Sequence, residues 1–539
     1  MNSTTPNSND LSTATWLAAA LVSLPFLQAL SIDFDRSGAL VLLLPALWSG
    51  RGRLLEAADD LALGAAWLKY SAVLSAFAIA VAVAVADQPA PAAATAALWL
   101  LLAAAGLLAG RVVAAEPRAG RRILGGMAGG AAAGTAAVWA LWWLGGRGAV
   151  PLYAHHRHIG LHTLAGAVAC TALVTGAESR RAWLGWFAAG ALAWGGLLWS
   201  GGRAPMLALG GALAVWLFFT ASARRPKLFG AAALQLAAGL ALSLAMWTTN
   251  PELGWWHAFT RTAAAASTGN VSALTSTRSE FWLSSIERAR LAPWLGHGPD
   301  AYRFLTPKLD GQQPHNFILQ LWLDVGILGA LPLLAILGGA LWGGWPRTAR
   351  AAAEDSTRLA WPVIVTAGVI AGALDGIYYH LLAFLPAALA IGVTLGFIAR
   401  RNESRTRWRL PVTVLTVAAI ALLAVHSWIF YALAVAEPPA PSSWRTRIVR
   451  AFPSSTFGLS RWLDAWQATE PATTLEWSRW AQTHSPNAPF FHVYAAQMLL
   501  ARGDRAGAET ELRSALAKAH WTIRPTIEAM LRDLPPAPH

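Results

Sequence analysis

The chain has 539 residues but a single cysteine, and only 13% of its residues are charged. Cys170 lies in an apolar run, so a disulfide or a cysteine-based metal site within one chain is excluded. A typical soluble domain has about 25% charged residues, so this is not the composition of an ordinary soluble protein. A Walker loop and a dinucleotide-binding glycine fingerprint are also absent from the sequence, and we do not expect the chain to use a nucleotide itself.

Long apolar runs fill most of the first 434 residues, and many of the 29 tryptophans lie near their ends, where indole rings favour the membrane interface. A helix needs about 20 apolar residues to cross a bilayer. The N-terminus lacks a basic region and a cleavage site, so the first run is expected to be a span rather than a removed signal. We predict an all-α polytopic membrane protein of about 13 transmembrane helices, at residues 13–33, 37–50, 62–86, 93–115, 123–145, 160–177, 182–199, 204–221, 228–248, 317–343, 359–380, 383–399 and 410–434.

The distribution of positive charge predicts which loops are cytoplasmic. Alternate loops carry 18 Lys and Arg residues, whereas the other short loops carry only Arg36, Arg147, Arg157 and Arg203. Because Lys and Arg resist translocation, the first set is expected to be cytoplasmic. The N-terminus is then cytoplasmic and the C-terminus periplasmic. Since the basic residues are dispersed between spans, the net charge of +13 does not indicate nucleic-acid binding.

Two longer polar segments are predicted to be periplasmic. Residues 249–316 form a large loop, and loops of this length usually carry function. Residues 435–539 form a soluble helical domain after the transmembrane domain 1–434, with a stiff Pro-rich linker at Glu437–Pro441. Helical periodicity at 490–502 and 506–519 around a Gly-Asp turn predicts one tetratricopeptide-like hairpin. A plain helical cap packed on the membrane domain is the alternative.

Two arginines are predicted at the first positions of helices. Arg203 follows two glycines, and Pro205 suits a first helical turn. Arg278 follows Thr277, which with Glu280 gives a capping-box pattern. Backbone N–H groups at a helix start favour an anion, so both arginines are candidates for binding one. The alternatives are an interfacial arginine at 203 and a solvated arginine at 278, paired with a nearby glutamate.

His315 is predicted at the mouth of a transmembrane helix. Asn316 is a plausible N-cap for the following apolar run, and Pro314 restricts the approach of the chain. A histidine held there can accept a proton from a sugar hydroxyl or donate a hydrogen bond to phosphate. The alternative is a merely interfacial histidine.

Further polar residues lie near the predicted periplasmic face. Asp375 and His380 close one span, and a carboxylate there either pairs with an arginine or lies at the water boundary. A histidine group, His155, His156, His158 and His162, has enough nitrogens for zinc. A solvated loop is the preferred interpretation of this group, because no carboxylate or cysteine is close in sequence.

Several segments together resemble the O-antigen ligase superfamily. These are Ser-Gly-Gly-Arg-Ala at 200–204, Arg-Ser-Glu-Phe-Trp at 278–282, Pro-Trp-Leu-Gly-His-Gly at 293–298, His315-Asn316, and Leu-Trp-Leu-Asp-Val-Gly-Ile-Leu-Gly at 321–329. The superfamily includes lipopolysaccharide O-antigen ligases, polysaccharide polymerases and protein O-oligosaccharyltransferases. The resemblance covers about residues 150–400.

The resemblance implies a metal-independent glycosyltransferase of the C type, without a cofactor, that uses an undecaprenyl-diphosphate-linked glycan donor. Arg203 and Arg278 would bind the diphosphate, and His315 would act on the acceptor. Asn316, Asp375 and His380 are further candidates for substrate binding. The family usually has serine before the first arginine, but Gly202 stands there in this chain, so a role for that hydroxyl is in doubt.

The acceptor stays open at this stage. A ligase acts on lipid A core, an oligosaccharyltransferase on a protein, and a polymerase on another lipid-linked repeat. The helical tail favours a protein or a growing polysaccharide. A glycan flippase is the alternative from another class, but a transporter should have charged residues near mid-span and paired repeats, which the sequence lacks.

Overall fold

The computed structural model describes residues 8–27, 32–63, 65–145, 152–153, 155–269, 275, 278–305, 313–351, 356–376, 380–398, 408–519 and 523–535. Within these ranges every regular element is a helix, so the predicted all-α class is confirmed. The membrane part and its large loop comprise α1 (Ser8–Leu27), α2 (Ile32–Ser49), α3 (Arg51–Leu63), α4 (Ala66–Ala84), α5 (Pro89–Ala115), α6 (Pro117–Leu144), α7 (His156–Thr175), α8 (Arg180–Trp199), α9 (Arg203–Phe219), α10 (Arg225–Ala245), α11 (Trp255–Ser267), α12 (Arg278–Ala289), α13 (Phe317–Ala351), α14 (Ala360–Leu374), α15 (Leu381–Ile398) and α16 (Arg409–Ala434).

The C-terminal helices follow at α17 (Trp444–Ala451), α18 (Leu459–Trp466), α19 (Pro471–His484), α20 (Pro489–Ala501), α21 (Arg505–Lys518) and α22 (Arg524–Arg532). Short 3-10 helices lie at Ser222–Arg224, Ala301–Arg303 and Ser356–Leu359.

Each of the 13 predicted apolar segments overlaps one helix, but the count of 13 spans is not confirmed. Among the described residues, 11 helices are long and apolar enough to cross a membrane. The two that fall short are α2, which begins with Asp33, Asp35 and Arg36, and α9, which has only 17 residues.

Small residues allow the helices nearest the site to pack with their backbones in contact. A Cβ added at Gly106 of α5 would lie 2.6 Å from the carbonyl oxygen of Ala388 in α15. The next turn repeats this contact between Gly110 and Gly392. Close approach of this kind is typical of helix pairs in membranes. It fixes α15, and with it the connection from α14 that carries Asp375.

The helix α13 is broken at Gly326, which has φ 63° and ψ −176°. The segment 293–298 fills the break. The N–H of Gly298 donates to the carbonyl oxygen of Asp324 at 2.9 Å, and the N–H of Ile327 donates to the carbonyl oxygen of Pro293 at 2.8 Å. Because backbone groups inside a membrane protein need internal partners, the break and the segment depend on each other. This pairing accounts for the two glycine-containing motifs at 293–298 and 321–329.

The C-terminal helices pack against the end of α16. The prediction that the Pro-rich segment is a stiff linker is wrong, because these helices also contact that segment. The indole N–H of Trp466 donates to the carbonyl of Pro439 at 2.9 Å, and that of Trp462 donates to Ala432 at 3.2 Å. Ile429 and Leu433 of α16 belong to the same buried apolar cluster. The Pro-rich segment is therefore part of a packed junction rather than a spacer. The hairpin α20–α21 turns at Gly503, with φ 80°, and has α19 and α22 packed beside it.

A buried ionic network joins α2 to the loop and to the C-terminal helices. Arg36 contacts Asp33 at 2.9 Å and Asp300 at 2.7 Å, and its side chain is fully buried. The hydroxyl of Ser455 donates to Asp33 at 2.9 Å. Buried charges require partners of this kind, so the charged side chains at the start of α2 connect this helix to the loop and to the C-terminal region.

Candidate functional site

Three predicted site residues converge through a single carboxylate. Arg278 Nη2 donates to Asp375 Oδ2 at 2.7 Å, and His315 Nδ1 lies 2.7 Å from Asp375 Oδ1. The side chains of Arg278 and Asp375 are only 12% and 8% exposed. Asp375 therefore pairs with an arginine and orients the histidine, and it does not simply lie at the water boundary.

Local structure holds each of these side chains in place. Arg278 is the first residue of α12, as predicted, while Thr277 of the proposed capping box lies outside the described residues. Asn316 caps α13, since its Oδ1 accepts from the N–H groups of Ile318 and Leu319 at 3.0 and 3.1 Å. His315 has φ 53°, an uncommon value for a residue with a side chain.

Asp375 follows the last residue of α14, and its environment favours the ionised carboxylate. Burial by itself would raise the pKa of Asp375, but the hydrogen bond from His315 and the charge of Arg278 outweigh it and lower that pKa. The backbone N–H of Gly376 also donates to Asp375 Oδ1, at 2.8 Å. With the carboxylate ionised, Asp375 can only accept, so His315 Nδ1 is the donor in this hydrogen bond and Nε2 is the ring nitrogen on the other side of the imidazole.

Arg278 belongs to an arginine cluster that also contains Arg157, Arg203 and Arg261. Burial and the charges of the other three members lower the pKa of Arg203, the first residue of α9. Arg203 Nη1 also donates to the hydroxyl of Thr262 at 3.1 Å. Side chains from α7, α9, α11 and α12 thus bring four guanidinium groups together.

Two carboxylates offset part of this charge. Glu252 Oε2 lies 3.7 Å from Arg157 Nη2 and 3.9 Å from Arg261 Nη1, and Asp375 pairs with Arg278. Among the residues that the structure describes, four guanidinium groups thus lie close to two carboxylates. Arginine forks match the geometry of phosphate oxygens, so the cluster is chemically suited to a phosphorylated ligand.

The turn before α9 positions two members of the cluster. Gly201 has φ 64°, and its carbonyl accepts from Arg261 Nη2 at 3.2 Å. A Cβ at Gly201 would lie 2.5 Å from the carbonyl oxygen of Glu252. The Ser-Gly-Gly-Arg motif therefore brings α9 and the loop together at this point.

Sequence patterns missed Arg157 and Arg261. Arg157 entered the sequence analysis only through its charge in a short loop, although it lies among histidines at the start of a helix. Arg261 is an isolated cation on α11, next to four consecutive alanines. A charged residue on the inner side of an amphipathic helix is the signal that would have identified it.

The expected solvated loop is wrong for the three histidines that lie in α7, whereas His155, which precedes this helix, is exposed. His156 and His162 are buried in α7, and His162 Nδ1 lies 2.9 Å from the hydroxyl of Tyr153. The apolar packing of α7 encloses them. Among the described residues, no group of three or more His, Cys, Asp or Glu side chains is arranged to hold a metal ion. Metal independence itself stays a prediction.

His380 lies beside the site but contacts a different carboxylate. Its Nδ1 is 3.2 Å from Asp35 Oδ2, and its ring lies against that of His158, with centroids 4.0 Å apart. The predicted role of His380 in substrate binding therefore gains no direct contact with Arg278, Asp375 or His315 in the described structure.

An apolar cavity of about 340 Å³ opens next to His315 and Asn316. It runs between α3, α4, α5, α13 and α15 and is lined mainly by Leu, Ile, Ala and Phe side chains. A second cavity of about 330 Å³ continues from it toward Arg111 and Arg358. The two share the lining residues Leu61, Leu68, Leu107, Gly392 and Leu395.

Comparison with known families agrees with the segments quoted from the sequence. Residues 188–334 match the family model described as O-antigen ligase. The resemblance to the O-antigen ligase superfamily is confirmed. The O-antigen ligase match includes Arg203, Arg261, Arg278 and His315, whereas Arg157 and Asp375 lie outside it. No curated protein matches the chain significantly.

The match to the O-antigen ligase family over residues 188–334 supports glycan transfer of the ligase or polymerase type in general. Together with the 11 apolar helices, it indicates a multi-pass membrane protein.

Proposed function

We propose that the protein transfers a glycan from an undecaprenyl-diphosphate-linked donor to an acceptor hydroxyl at the periplasmic face of the bacterial inner membrane. The observation that carries this proposal is the hydrogen-bonded series Arg278–Asp375–His315 at the edge of an arginine cluster. A candidate base and a group of cations lie side by side there, and glycan transfer from a diphosphate can use both: the first takes the hydroxyl proton and the second stabilises the leaving group.

His315 is the proposed general base. Asp375 accepts the hydrogen bond from Nδ1–H, which leaves the Nε2 lone pair to take the proton of the acceptor hydroxyl. The acceptor oxygen then bonds to the anomeric carbon of the donor sugar, and the bond from that carbon to the diphosphate oxygen breaks. The lipid diphosphate leaves with the electron pair.

The arginine cluster is the proposed site of the leaving diphosphate. Negative charge grows on the bridging oxygen as the bond breaks, and fixed cations at that point stabilise the transition state. Arg203 and Arg278 are the two members identified from sequence, and Arg157 and Arg261 extend the cluster. We propose that these permanent charges let the reaction proceed without a metal ion.

The apolar cavity is the proposed site of the polyprenyl chain. In the donor, hydrocarbon begins immediately after the diphosphate, so its site should begin next to the reacting groups. The cavity meets this requirement, because it starts at His315 and continues between the helices toward Arg358.

The proposed periplasmic location of the reaction rests on the charge asymmetry of the loops. The proposed acceptor is a protein, lipid A core or a growing polysaccharide. Polymerisation of lipid-linked repeats is the alternative form of the same chemistry.

The test is reconstitution of the purified protein in vesicles with lipid-linked glycan extracted from the producing strain. Membranes of a deletion strain supply the acceptor. Transfer should occur with a chelator present, and Arg278→Lys should reduce it about a hundredfold, because lysine keeps the charge but loses the fork. Absence of transfer by wild-type protein would overturn the proposal, and full activity of Arg278→Lys would remove the fork from the mechanism.

A further inference from the structure

The upper part of the apolar cavity contains a polar stripe that the proposed mechanism does not use. Gln320 and Asp324 lie on one face of the first turns of α13, and Gln313 precedes His315. All three line the cavity beside Asn316. The polar stripe is defined as Gln313, Gln320 and Asp324.

Two carbonyl oxygens of the stripe are buried, and no residue that the structure describes donates a hydrogen bond to them. Gln313 is 8% exposed and Gln320 is 6% exposed, and the Oε1 atom of each has no partner among the described residues. The amide orientation of Gln320 is set by its Nε2, which donates to Asp324 Oδ2 at 2.7 Å. Buried polar atoms are nearly always paired in folded proteins, so these two acceptors, on residues that line one cavity, point to a ligand.

The chemistry of the stripe distinguishes between possible ligand groups. Its unsatisfied atoms, the Oε1 atoms of Gln313 and Gln320, are hydrogen-bond acceptors. A diphosphate offers only acceptors, so it cannot donate a hydrogen bond to them. A hydrocarbon chain cannot donate a hydrogen bond either. A hydroxyl group can, and a sugar ring has several of them.

The position of Gln313 relates the stripe to the reacting groups. Its side-chain amide packs directly against Gly376, the residue after Asp375, so closely that a Cβ at Gly376 would collide with it. His315 is two residues further along the chain, and its side chain lines the same cavity. A sugar ring bound at Gln313 would therefore adjoin the proposed base.

We propose that Gln313 and Gln320 accept hydrogen bonds from hydroxyl groups of the donor sugar next to the scissile bond, and so determine which sugar is transferred. This inference rests on the proposed function and adds a sugar subsite to it. The arginine cluster binds phosphate, the lower cavity binds hydrocarbon, and the polar stripe binds the ring between the base and the leaving group.

The test is the variant Gln313→Met, which keeps the length of the side chain but removes the acceptor. If Gln313 were only structural, losing an unpaired buried oxygen would stabilise the fold or leave it unchanged, with no effect on transfer. A sugar-binding role instead predicts unchanged or higher thermal stability, together with a tenfold to hundredfold loss of kcat/KM for glycan transfer.

The matched control is Gln235→Met, at a fully buried glutamine that has its partners. Its Oε1 accepts from Thr171 at 2.7 Å, far from the cavity lining. This variant should lose stability but keep its transfer rate per folded molecule.

A second measurement uses undecaprenyl diphosphate, which has no sugar. It should raise the melting temperature of the wild type and of Gln313→Met equally. The sugar subsite is refuted if Gln313→Met transfers glycan at the wild-type rate. It is also refuted if the substitution reduces the rise in melting temperature with undecaprenyl diphosphate as much as it reduces transfer. In either case a wild type that transfers glycan leaves the proposed function standing, whereas an inactive wild type refutes both.

Discussion

The carboxylate of Asp375 is the most informative single group to change, because it holds both Arg278 and His315. In Asp375→Asn one amide oxygen remains as an acceptor, but the NH₂ group can donate to His315 Nδ1. The imidazole proton then moves to Nε2, the atom that should accept the proton of the attacking hydroxyl. Loss of general base catalysis costs about 10²–10⁴ in rate, and we expect a decrease in kcat within that range.

The same change should lower stability by an amount that the geometry allows us to estimate. The Arg278–Asp375 pair is formed at 2.7 Å by side chains that are 12% and 8% exposed. Removing one partner of a buried pair typically costs about 3–5 kcal/mol, since the other charge remains buried. Because the pKa of folded Asp375 lies below its ordinary value, the contribution is complete above about pH 4 and disappears only as the pH falls further. The variant should lack this acid-dependent part of the unfolding free energy.

Glycan transfer in vesicles measures the first effect, and thermal unfolding from pH 8 down to about pH 2 measures the second. Glu476→Gln is a suitable control, because Glu476 contacts Arg450 at 2.6 Å but is 61% exposed. A surface pair of this kind contributes about 0–1 kcal/mol, and this variant should keep its activity. Near-normal transfer by Asp375→Asn would refute the role of the carboxylate in orienting His315.

Three further predictions concern the base, the helix break and the topology. His315→Ala should abolish transfer without releasing the protein from the membrane, and His315→Gln should be nearly as inactive; recovery with Gln would indicate positioning instead of proton transfer. Gly326→Ala should destabilise the protein, because backbone strain at a positive φ costs about 1–3 kcal/mol. The added Cβ would also lie 2.2 Å from the backbone of Trp294. Gly338→Ala, on the same helix but with open space around it, is the control and should be neutral or stabilising in thermal unfolding. Alkaline phosphatase fused at Ala506 should be active, and inactivity there would reverse the predicted orientation.

The break in α13 shows where prediction from the sequence stopped. The apolar run from residue 317 predicted a continuous span, and Gly326 was recognised only as part of a family motif. A positive φ at that glycine becomes necessary because segment 293–298 supplies backbone hydrogen bonds to the break. The two segments are about 30 residues apart, so no local pattern predicts their pairing.

The sequence by itself determined the helical class, the approximate positions of the apolar helices, and the starts of α9, α12 and α13. These follow from local properties: apolar length, capping residues and restricted backbone near proline. Tertiary structure alone decided that Asp375 joins Arg278 to His315 and that Arg157 and Arg261 complete the cluster. It also buried His156 and His162 and enclosed the linker in a packed junction. Each of these outcomes depends on which helices are neighbours, and burial and ion pairing between distant segments are set by that packing rather than by sequence spacing.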